Sequence, residues 1–396
     1  MDASHFAPMK ITAEELLRRG VDRHRAGKLD EAESLYRRAL RLTPGHPDAE
    51  NLLGVCARQR GDLIAALAHA ARAVAAMPDS ALFLANQGAA LAEAGQLGPA
   101  IAALRRALAL NPGDAMSLRN LGQALTAAGQ PEAALEPLTA ATQLAPEAAE
   151  IWLALAHAAR EAGRVELACE AARKVRGPLA GQAGFLLAAL GEGPTPARAP
   201  AAYVRELFDA FAPRFDAELE GPLAYRTPAL LAAMIQGLPP GRVLDLGCGT
   251  GLSGLALKPF ATRLEGLDLS PRMLALARGR GIYHALHEAD LLEFLPGRAA
   301  QFDLIAAADV LNYLGDLAPA FAAIHAALKP GGTALFSLEA GEDAVTLGPG
   351  LRFAHNADHA LALAEGANLV LVAREAAVLR REKGADVAGT LFRLRR

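Results

Sequence analysis

The chain has 396 residues, of which 52% are hydrophobic but only 5% aromatic. This length predicts two domains, and an apolar fraction rich in alanine and poor in aromatic residues favours closely packed helices over a β-sandwich. The formal net charge of −3, from 40 basic and 43 acidic residues, predicts neither a nucleic-acid partner nor a membrane-surface partner.

The cysteines and the first residues indicate the compartment. Cys56, Cys169 and Cys248 are too few and too far apart for a disulfide framework or a zinc site with paired ligands, so we predict a reducing compartment and no metal. Residues 1–12 form a predicted tail without the apolar core of a secretory signal, and no uncharged segment is long enough to span a bilayer. We therefore expect a cytoplasmic protein.

The first half of the chain repeats with a period of 34 residues. Small residues and turn glycines form two series through five repeats: Gly20, Gly54, Gly88, Gly122 and Ala156, and then Gly27, Gly61, Gly95, Gly129 and Gly163. A proline closes four repeats, at Pro44, Pro78, Pro112 and Pro146. Small residues let two helices approach closely, glycine permits the left-handed turn between them, and proline ends the second helix.

This pattern resembles the tetratricopeptide repeat (TPR) family, and we assign residues 13–190 to an array of about five repeats. The resemblance implies an all-α superhelix whose concave wall, built from the first helix of each repeat, binds a protein or peptide. That wall is expected to carry Asn51, Arg58, Arg119, Gln123, His157 and Arg160. An array that serves only folding or self-association remains the alternative.

Residues 191–200, GEGPTPARAP, break the helical period and are predicted to be a semi-rigid linker before a second domain at 201–396. Phe208, Phe211 and Phe215 then recur at helical spacing. Such a stripe is typical of core packing, and the alternative is a helix that covers a ligand. From Arg242 onward, short apolar runs alternate with helical stretches, which predicts a doubly wound parallel sheet of seven strands.

The strongest motif is VLDLGCGTG, in which a buried strand runs into Gly247, Gly249 and Gly251. Without a Cβ, these residues can adopt positive φ and let a ligand lie against bare backbone, and Asp245 stands at the same sheet edge. Dinucleotide oxidoreductases use a similar turn, so the glycines alone do not identify the ligand. Leu252, where the dinucleotide fingerprint has a third glycine, weighs against NAD.

Two further acids follow: Asp268 at the end of the second strand, where it can accept both ribose hydroxyls, and Asp290 at the end of the third. With ADVLNYLGDL after the fourth strand and LKPGGTALF entering the fifth, the order resembles class I S-adenosylmethionine-dependent methyltransferases. The resemblance implies an α/β, Rossmann-like fold and S-adenosyl-L-methionine as cofactor. It also implies that Asp290 accepts from the adenine amino group while the Leu291 amide faces the ring.

The cofactor-binding residues expected from the motifs and the resemblance lie along the strand ends and the preceding helices. They are Asp245, Gly247, Gly249, Gly251, Asp268, Leu269, Asp290, Leu291, Asp309, Phe211 and Arg226. Candidates for catalysis, chosen by position near the transferred methyl group, are Asp309, Tyr313 and His355, with Asn312 beside them.

We therefore expect methyl transfer to an oxygen or nitrogen acceptor, a small molecule or glycan precursor, with the repeats docking the enzyme to a partner. The sequence leaves three alternatives: a protein substrate recruited by the repeats, a cofactor-binding scaffold without turnover, and an NAD-linked redox enzyme.

Overall fold

The computed structural model describes residues 11–221, 223–382 and 384–396. The chain forms two compact units, which divide between Ala171 and Ala172. Of the predicted N-terminal tail, residues 1–10 lie outside the described residues.

The first unit consists of paired helices, each pair forming one repeat. They are α1 (Ala13–Arg25), α2 (Leu29–Leu42), α3 (Pro47–Gln59), α4 (Leu63–Ala76), α5 (Ala81–Glu93), α6 (Leu97–Leu110), α7 (Ala115–Ala127), α8 (Pro131–Leu144), α9 (Ala149–Glu161) and α10 (Val165–Ala172). The predicted helical-repeat fold is confirmed.

The small residues of the repeats lie where two helices meet. A Cβ on Gly122 would stand 2.3 Å from Cγ of Leu138, and one on Gly88 would stand 2.6 Å from Cγ of Leu104. The turn glycines have positive φ throughout, as at Gly27 with +73°. At Gly88 and Gly122 the two helices of a repeat are therefore too close to leave room for a side chain.

This close approach predicts the effect of a single methyl group. Gly122→Ala should lower the free energy of unfolding by about 1–3 kcal/mol, because overpacking forces Leu138 from its place. Urea titration followed by circular dichroism measures the loss. Gly98→Ala is the matched control, since Gly98 is an α6 residue with nothing within 4 Å of its would-be Cβ. It should gain roughly 0.5–1 kcal/mol from helix propensity; equal losses in both variants would refute the packing argument.

Two of the predicted wall residues, Asn51 and Arg58, contact residues of the next repeat. Nδ2 of Asn86 donates to Oδ1 of Asn51 at 2.9 Å, and Arg58 pairs with Glu93 at 2.5 Å. Both contacts link first helices of adjacent repeats. Burial lowers the pKa of His157 to about 4, so this side chain is neutral near pH 7. Binding of a partner at this wall stays a prediction.

The second unit contains nine helices and nine strands among its described residues. The helices are α11 (Ala180–Ala189), α12 (Ala201–Phe211), α13 (Phe215–Glu220), α14 (Thr227–Ala233), α15 (Leu252–Leu257), α16 (Pro271–Gly279), α17 (Leu291–Phe294), α18 (Ala318–Ala327) and α19 (Ala357–Gly366). The strands are β1 (Gly241–Leu246), β2 (Ala261–Asp268), β3 (Ala285–Glu288), β4 (Phe302–Ala307), β5 (Leu328–Ala340), β6 (Val345–Leu347), β7 (Phe353–His355), β8 (Val370–Glu382) and β9 (Ala385–Arg395).

One sheet organises this unit. Strands β3, β2, β1, β4 and β5 are parallel neighbours in that order, β9 pairs antiparallel with β5, and β8 pairs antiparallel with β9. These are the seven predicted strands, so the Rossmann-like α/β fold is confirmed. The short strands β6 and β7 add to it beside the end of β5. Apolar clusters cover both sheet faces.

The segment predicted as a linker belongs to the second unit. Residues 191–200 lie beyond the observed division, and Arg198 forms a β-bridge with Leu314. The Ala199 amide donates to the Tyr313 carbonyl at 2.9 Å, and the Gly315 amide donates to the Ala197 carbonyl at 2.8 Å. The observed boundary therefore differs from the predicted one, because these backbone hydrogen bonds attach the proline-rich segment to the sheet domain.

Among the described residues, no helix has both the length and the apolar character needed to cross a membrane.

Candidate active site

A cavity of about 270 Å³ lies at the carboxyl ends of β1, β2 and β4. This is where open parallel sheets bind ligands. Nine of the predicted site residues line it together: Phe211, Gly247, Gly249, Asp268, Leu269, Asp290, Leu291, Asp309 and Tyr313. Asn312 and Phe215 line it as well.

The glycine loop forms one wall. Gly247, Gly249 and Gly251 have φ of +59°, +52° and +97°, which L side chains rarely adopt. A Cβ on Gly247 would stand 2.4 Å from Cγ2 of Val310. Gly251 is outside the cavity lining and caps α15 instead.

Asp268 is the acid most firmly built into the cavity. Its Oδ2 accepts from the Gly249 amide and its Oδ1 from the Ser270 amide, both at 2.8 Å. Burial raises its pKa to about 6, although these amides favour the ionised form. Each oxygen keeps a second lone pair, so the carboxylate can accept two more hydrogen bonds from a ligand.

Asp245 lies behind the cavity lining. Its Oδ2 accepts from Ser253 Oγ at 2.7 Å and from the Tyr283 hydroxyl at 2.6 Å, while its Oδ1 has no hydrogen-bond partner among the described residues. Burial raises its pKa to about 7. Asp245 was predicted to hold the cofactor's amino-acid end through bound water or backbone, and this stays a prediction; its carboxylate contacts α15 and Tyr283 directly.

Asp290 is oriented by two contacts at the far end of the cavity. Its Oδ1 accepts from the Leu292 amide at 2.8 Å as the N-cap of α17, and its Oδ2 pairs with Arg198 at 3.1 Å. Both Asp290 and Arg198 line the cavity. The segment before α12 therefore supplies a charged residue at the end where adenine was predicted.

The aromatic stripe forms the opposite wall, not part of the buried core. Phe208, Phe211 and Phe215 all line the cavity, and the ring centroids of Phe208 and Tyr313 are 5.6 Å apart. Two aspartates directly after these phenylalanines attach the wall. Asp209 accepts from Ser270 Oγ at 2.6 Å.

The second of them, Asp216, accepts from Thr250 Oγ1 and from Arg280, both at 2.5 Å. The Phe-Asp pair at 208–209 thus recurs at 215–216. In both pairs the phenylalanine lines the cavity, while Asp209 contacts the start of α16 and Asp216 contacts the glycine loop.

Loss of this attachment should weaken ligand binding. Asp216→Ala removes the contacts that hold α13 over Thr250, so we expect S-adenosylhomocysteine affinity to fall about 3- to 10-fold, the net effect of about one ordinary hydrogen bond, because Asp216 acts on the ligand only through the wall. Isothermal calorimetry measures it, and faster proteolysis within α12–α13 should accompany it. Glu218→Ala is the control on α13, because Glu218 pairs only with Arg214 on the same segment among the ion pairs described. Equal affinity in both variants and in the wild type would contradict a role for Asp216.

The other end of the cavity is built around Asp309, which follows β4 with φ of +54°. A non-glycine residue in this conformation is strained and marks a functional candidate. Ser337 Oγ donates to its Oδ1 at 2.7 Å, and Thr227 and Arg380 contact its Oδ2 at 3.3 and 3.2 Å. Burial raises the pKa of Asp309, and the charge of Arg380 opposes that rise.

Two arginines complete this end. Arg380 binds Asp309 and Glu339, and Arg352 binds Glu339 at 2.9 Å and also contacts Glu382. Burial raises the pKa of Glu339, but the two arginines outweigh it and lower the pKa overall. Glu339 therefore remains ionised at neutral pH between the two arginines.

Besides Asp245 and Gly251, two more predicted residues lie outside the cavity lining. Arg226 is exposed and outside the cavity lining; its amide donates to the Leu379 carbonyl, while its neighbour Tyr225 lines the cavity. His355 is 1% exposed, sits within β7 against Phe353 and is not a lining residue. Burial lowers its pKa. The predicted site roles of Arg226 and His355 are therefore corrected. His355 is buried because β7 pairs with β5, and in the turn before α14 it is Tyr225, not Arg226, that lines the cavity.

Sequence reasoning missed several residues of this site: Arg198, Asp209, Asp216, Tyr225, Ser337, Glu339, Arg352 and Arg380. The FDxxAxxFD pattern at residues 208–216 resembles a helix that covers the cofactor and predicts Phe211 and Phe215 at the pocket, but it gave no role to Asp209 and Asp216.

Comparison with known proteins agrees with this description. Residues 243–332 match the family described as "Methyltransferase domain", and residues 17–81, 85–146 and 119–183 match "Tetratricopeptide repeat". The chain is 33% identical over 107 residues to the ubiquinone biosynthesis O-methyltransferase of Aromatoleum aromaticum, covering 26% of this chain and 45% of that protein. It is 35% identical over 107 residues to the malonyl-[acyl-carrier protein] O-methyltransferase of Serratia marcescens, covering 27% and 42%. The chain thus spans less than half the length of these curated relatives.

Among solved structures, an S-adenosylmethionine dependent methyltransferase from Mesorhizobium loti is 26% identical with a TM-score of 0.36, covering 42% of this chain and 96% of that one. A TPR protein of Thermus thermophilus is 26% identical with a TM-score of 0.37, covering 41% and 89%.

The second unit is a Rossmann-like methyltransferase domain of the class that uses S-adenosylmethionine. In this chain such a domain follows a region that matches tetratricopeptide repeats.

Proposed function

We propose that this chain is an S-adenosylmethionine-dependent methyltransferase that acts on an oxygen or nitrogen of a small molecule or glycan precursor. One observation supports this most: a single cavity joins the glycine loop and Asp268 at one end to Asp309, Tyr313 and two arginines at the other. Such a cavity offers one region for the cofactor and another for an acceptor.

The residues present fit the cofactor. A Cβ on Gly249 would stand 3.5 Å from Phe215, so any larger side chain would close the space between the glycine loop and the aromatic wall. Asp268 has lone pairs for two ribose hydroxyls, and Asp290 and Leu291 line the part of the cavity where we expect the adenine. When bound, the cofactor supplies a methyl group already activated by its sulfonium.

The chain's own residues would then perform three tasks. The wall of α12 and α13 excludes water, the glycine loop and the acids orient the bound molecules, and Asp309 receives the proton that leaves an acceptor hydroxyl or amine. Because burial raises its pKa, Asp309 is a stronger base than an exposed aspartate. Tyr313, beside it in the cavity, positions the acceptor.

The cavity favours a small acceptor over a protein side chain, because the residues around it include Leu207, Phe208 and Phe211 of a covering helix. A protein recruited by the repeats is the alternative, and a scaffold without turnover is another. The strained Asp309 weighs against the scaffold, since strain is retained mainly where a site uses it. Docking of a partner by the TPR array and a cytoplasmic location remain parts of the proposal.

Calorimetric titration of the full chain with S-adenosylmethionine, S-adenosylhomocysteine and NAD tests the proposal. We expect micromolar binding of the two adenosyl compounds and none of NAD. Preference for NAD would replace the proposal by redox chemistry. Binding of both adenosyl compounds without methyl transfer to any member of a phenol, amine and sugar-nucleotide panel would favour the scaffold.

A further inference from the structure

Two arginines lie on the surface of the cavity, but the glutamates that pair with them do not. Arg352 and Arg380 line the cavity, whereas Glu339 and Glu382, which pair with them, do not. The glutamates thus lie behind the guanidinium groups. Of the acids in this cluster, Asp309 alone shares the cavity surface.

Burying two arginines costs free energy, and recognition of a ligand would account for that cost. The Arg380 side chain is 8% exposed and that of Arg352 is 22% exposed. Removing such charges from water costs several kcal/mol per ion, and apolar residues could join β5 and β8 more cheaply. The carboxylates of Glu339 and Glu382 fix the orientation of both guanidinium groups before a ligand arrives, and a guanidinium has five N–H donors, more than these contacts use.

The rest of this end of the cavity is apolar or neutral. Tyr313 interacts with both arginines and Tyr225 with Arg380, and Leu219, Leu223 and Phe208 line the same cavity. Such a surface suits a molecule with an apolar body and one anionic group. Because Arg380 contacts Asp309 at 3.2 Å, an anion on the arginines would place the rest of that molecule beside Asp309.

We propose that the methyl acceptor is a small organic acid with an apolar body, whose carboxylate is received by Arg352 and Arg380. This inference rests on the proposed methyltransferase function and names the acceptor class for its site. The carboxylate is the recognition group, and a bidentate arginine contact gives it a defined direction. A phosphate could use the same donors, so the experiment distinguishes the two.

The test uses the full chain saturated with S-adenosylhomocysteine. Phenylacetate and 3-phenylpropionate are titrated calorimetrically against their neutral amides and against phenyl phosphate. We expect each acid to bind at least about tenfold more tightly than its amide, the effect of one charge-assisted hydrogen bond, and more tightly than phenyl phosphate. Equal affinity of acid and amide, or no binding of either acid, would overturn the inference. Tighter binding of phenyl phosphate would overturn the carboxylate in favour of a phosphate.

Variants identify the residues. Arg352→Gln should abolish the preference for the acid over the amide while leaving S-adenosylhomocysteine affinity within about threefold, which also shows that the site is folded. Arg374→Gln is the control, because Arg374 lies on the same strand as Arg380 but is paired with Asp358 and outside the cavity lining. A preference that survives Arg352→Gln would overturn the assignment. Failure of S-adenosylhomocysteine to bind the wild type would instead refute the proposed function.

Discussion

Asp268→Ala should weaken binding of S-adenosylhomocysteine by at least about 100-fold. Two charge-assisted hydrogen bonds to the ribose are lost, each worth roughly 1.5–3 kcal/mol. The carboxylate also accepts from the amides of Gly249 and Ser270, so its loss loosens the glycine loop as well. Calorimetry on the full chain measures the change.

Glu288→Ala is the control for this variant. Glu288 ends the neighbouring strand β3, pairs with Arg205 and lies outside the cavity lining. Its removal should leave the affinity within about threefold, since an exposed ion pair contributes little. If both variants bind as the wild type does, Asp268 does not hold the cofactor.

The same carboxylate predicts a pH dependence. Burial raises the pKa of Asp268 to about 6, and the ionised form is the one that accepts from the ribose. Affinity should therefore fall about tenfold per pH unit below that value. The effect of pH on the stability of the fold has the opposite sign. Because the folded protein holds the Asp268 proton more tightly than the unfolded chain, this group stabilises the fold below the unfolded pKa of about 3.9. That stabilisation is lost as pH rises through the folded pKa of about 6. An affinity that is constant between about pH 5 and pH 8 would contradict this role.

The repeats and the sheet could be predicted from the sequence because their signals are local. The period of 34 residues corresponds to one pair of helices, and each glycine with positive φ marks one turn. The cofactor end was predictable for the same reason, since Gly247, Gly249 and Asp268 follow directly from strands that meet at one edge.

The acceptor end was not predictable in this way. Arg352 and Arg380 come from a loop and a late strand, and only tertiary packing brings them to Asp309. His355 illustrates the converse, because nothing in RFAHNADH shows that β7 would pair with β5 and bury the ring. Residues 191–200 were predicted to be a linker for a similar reason, because their hydrogen bonds to residues 313–315 are long-range and leave no local signal in the sequence.

Arg380→Gln should lower the free energy of unfolding by about 3–5 kcal/mol, the cost of leaving buried charges without a partner. Arg380 pairs with Asp309 at 3.2 Å and with Glu339, and its side chain is 8% exposed. Urea unfolding measures the loss. Arg374→Gln on the same strand should change stability by less than about 0.5 kcal/mol, because Arg374 is 39% exposed and its partner Asp358 is 82% exposed.

A double variant separates charge from packing. Arg380→Gln combined with Glu339→Gln should recover about 1–3 kcal/mol relative to the sum of the single losses, because the second change removes a carboxylate that has lost one of its two arginine partners and keeps only Arg352. A lower pH should also reduce the effect of the single variant. In the wild type Arg380 helps to hold the pKa of Glu339 below its usual value, which adds stability above the unfolded pKa and is lost as pH falls. Without Arg380 this pKa is lowered less, so the difference in stability between the single variant and the wild type should shrink as pH falls toward about 4. A loss that is additive and independent of pH would show that lost packing, not unpaired charge, accounts for the effect.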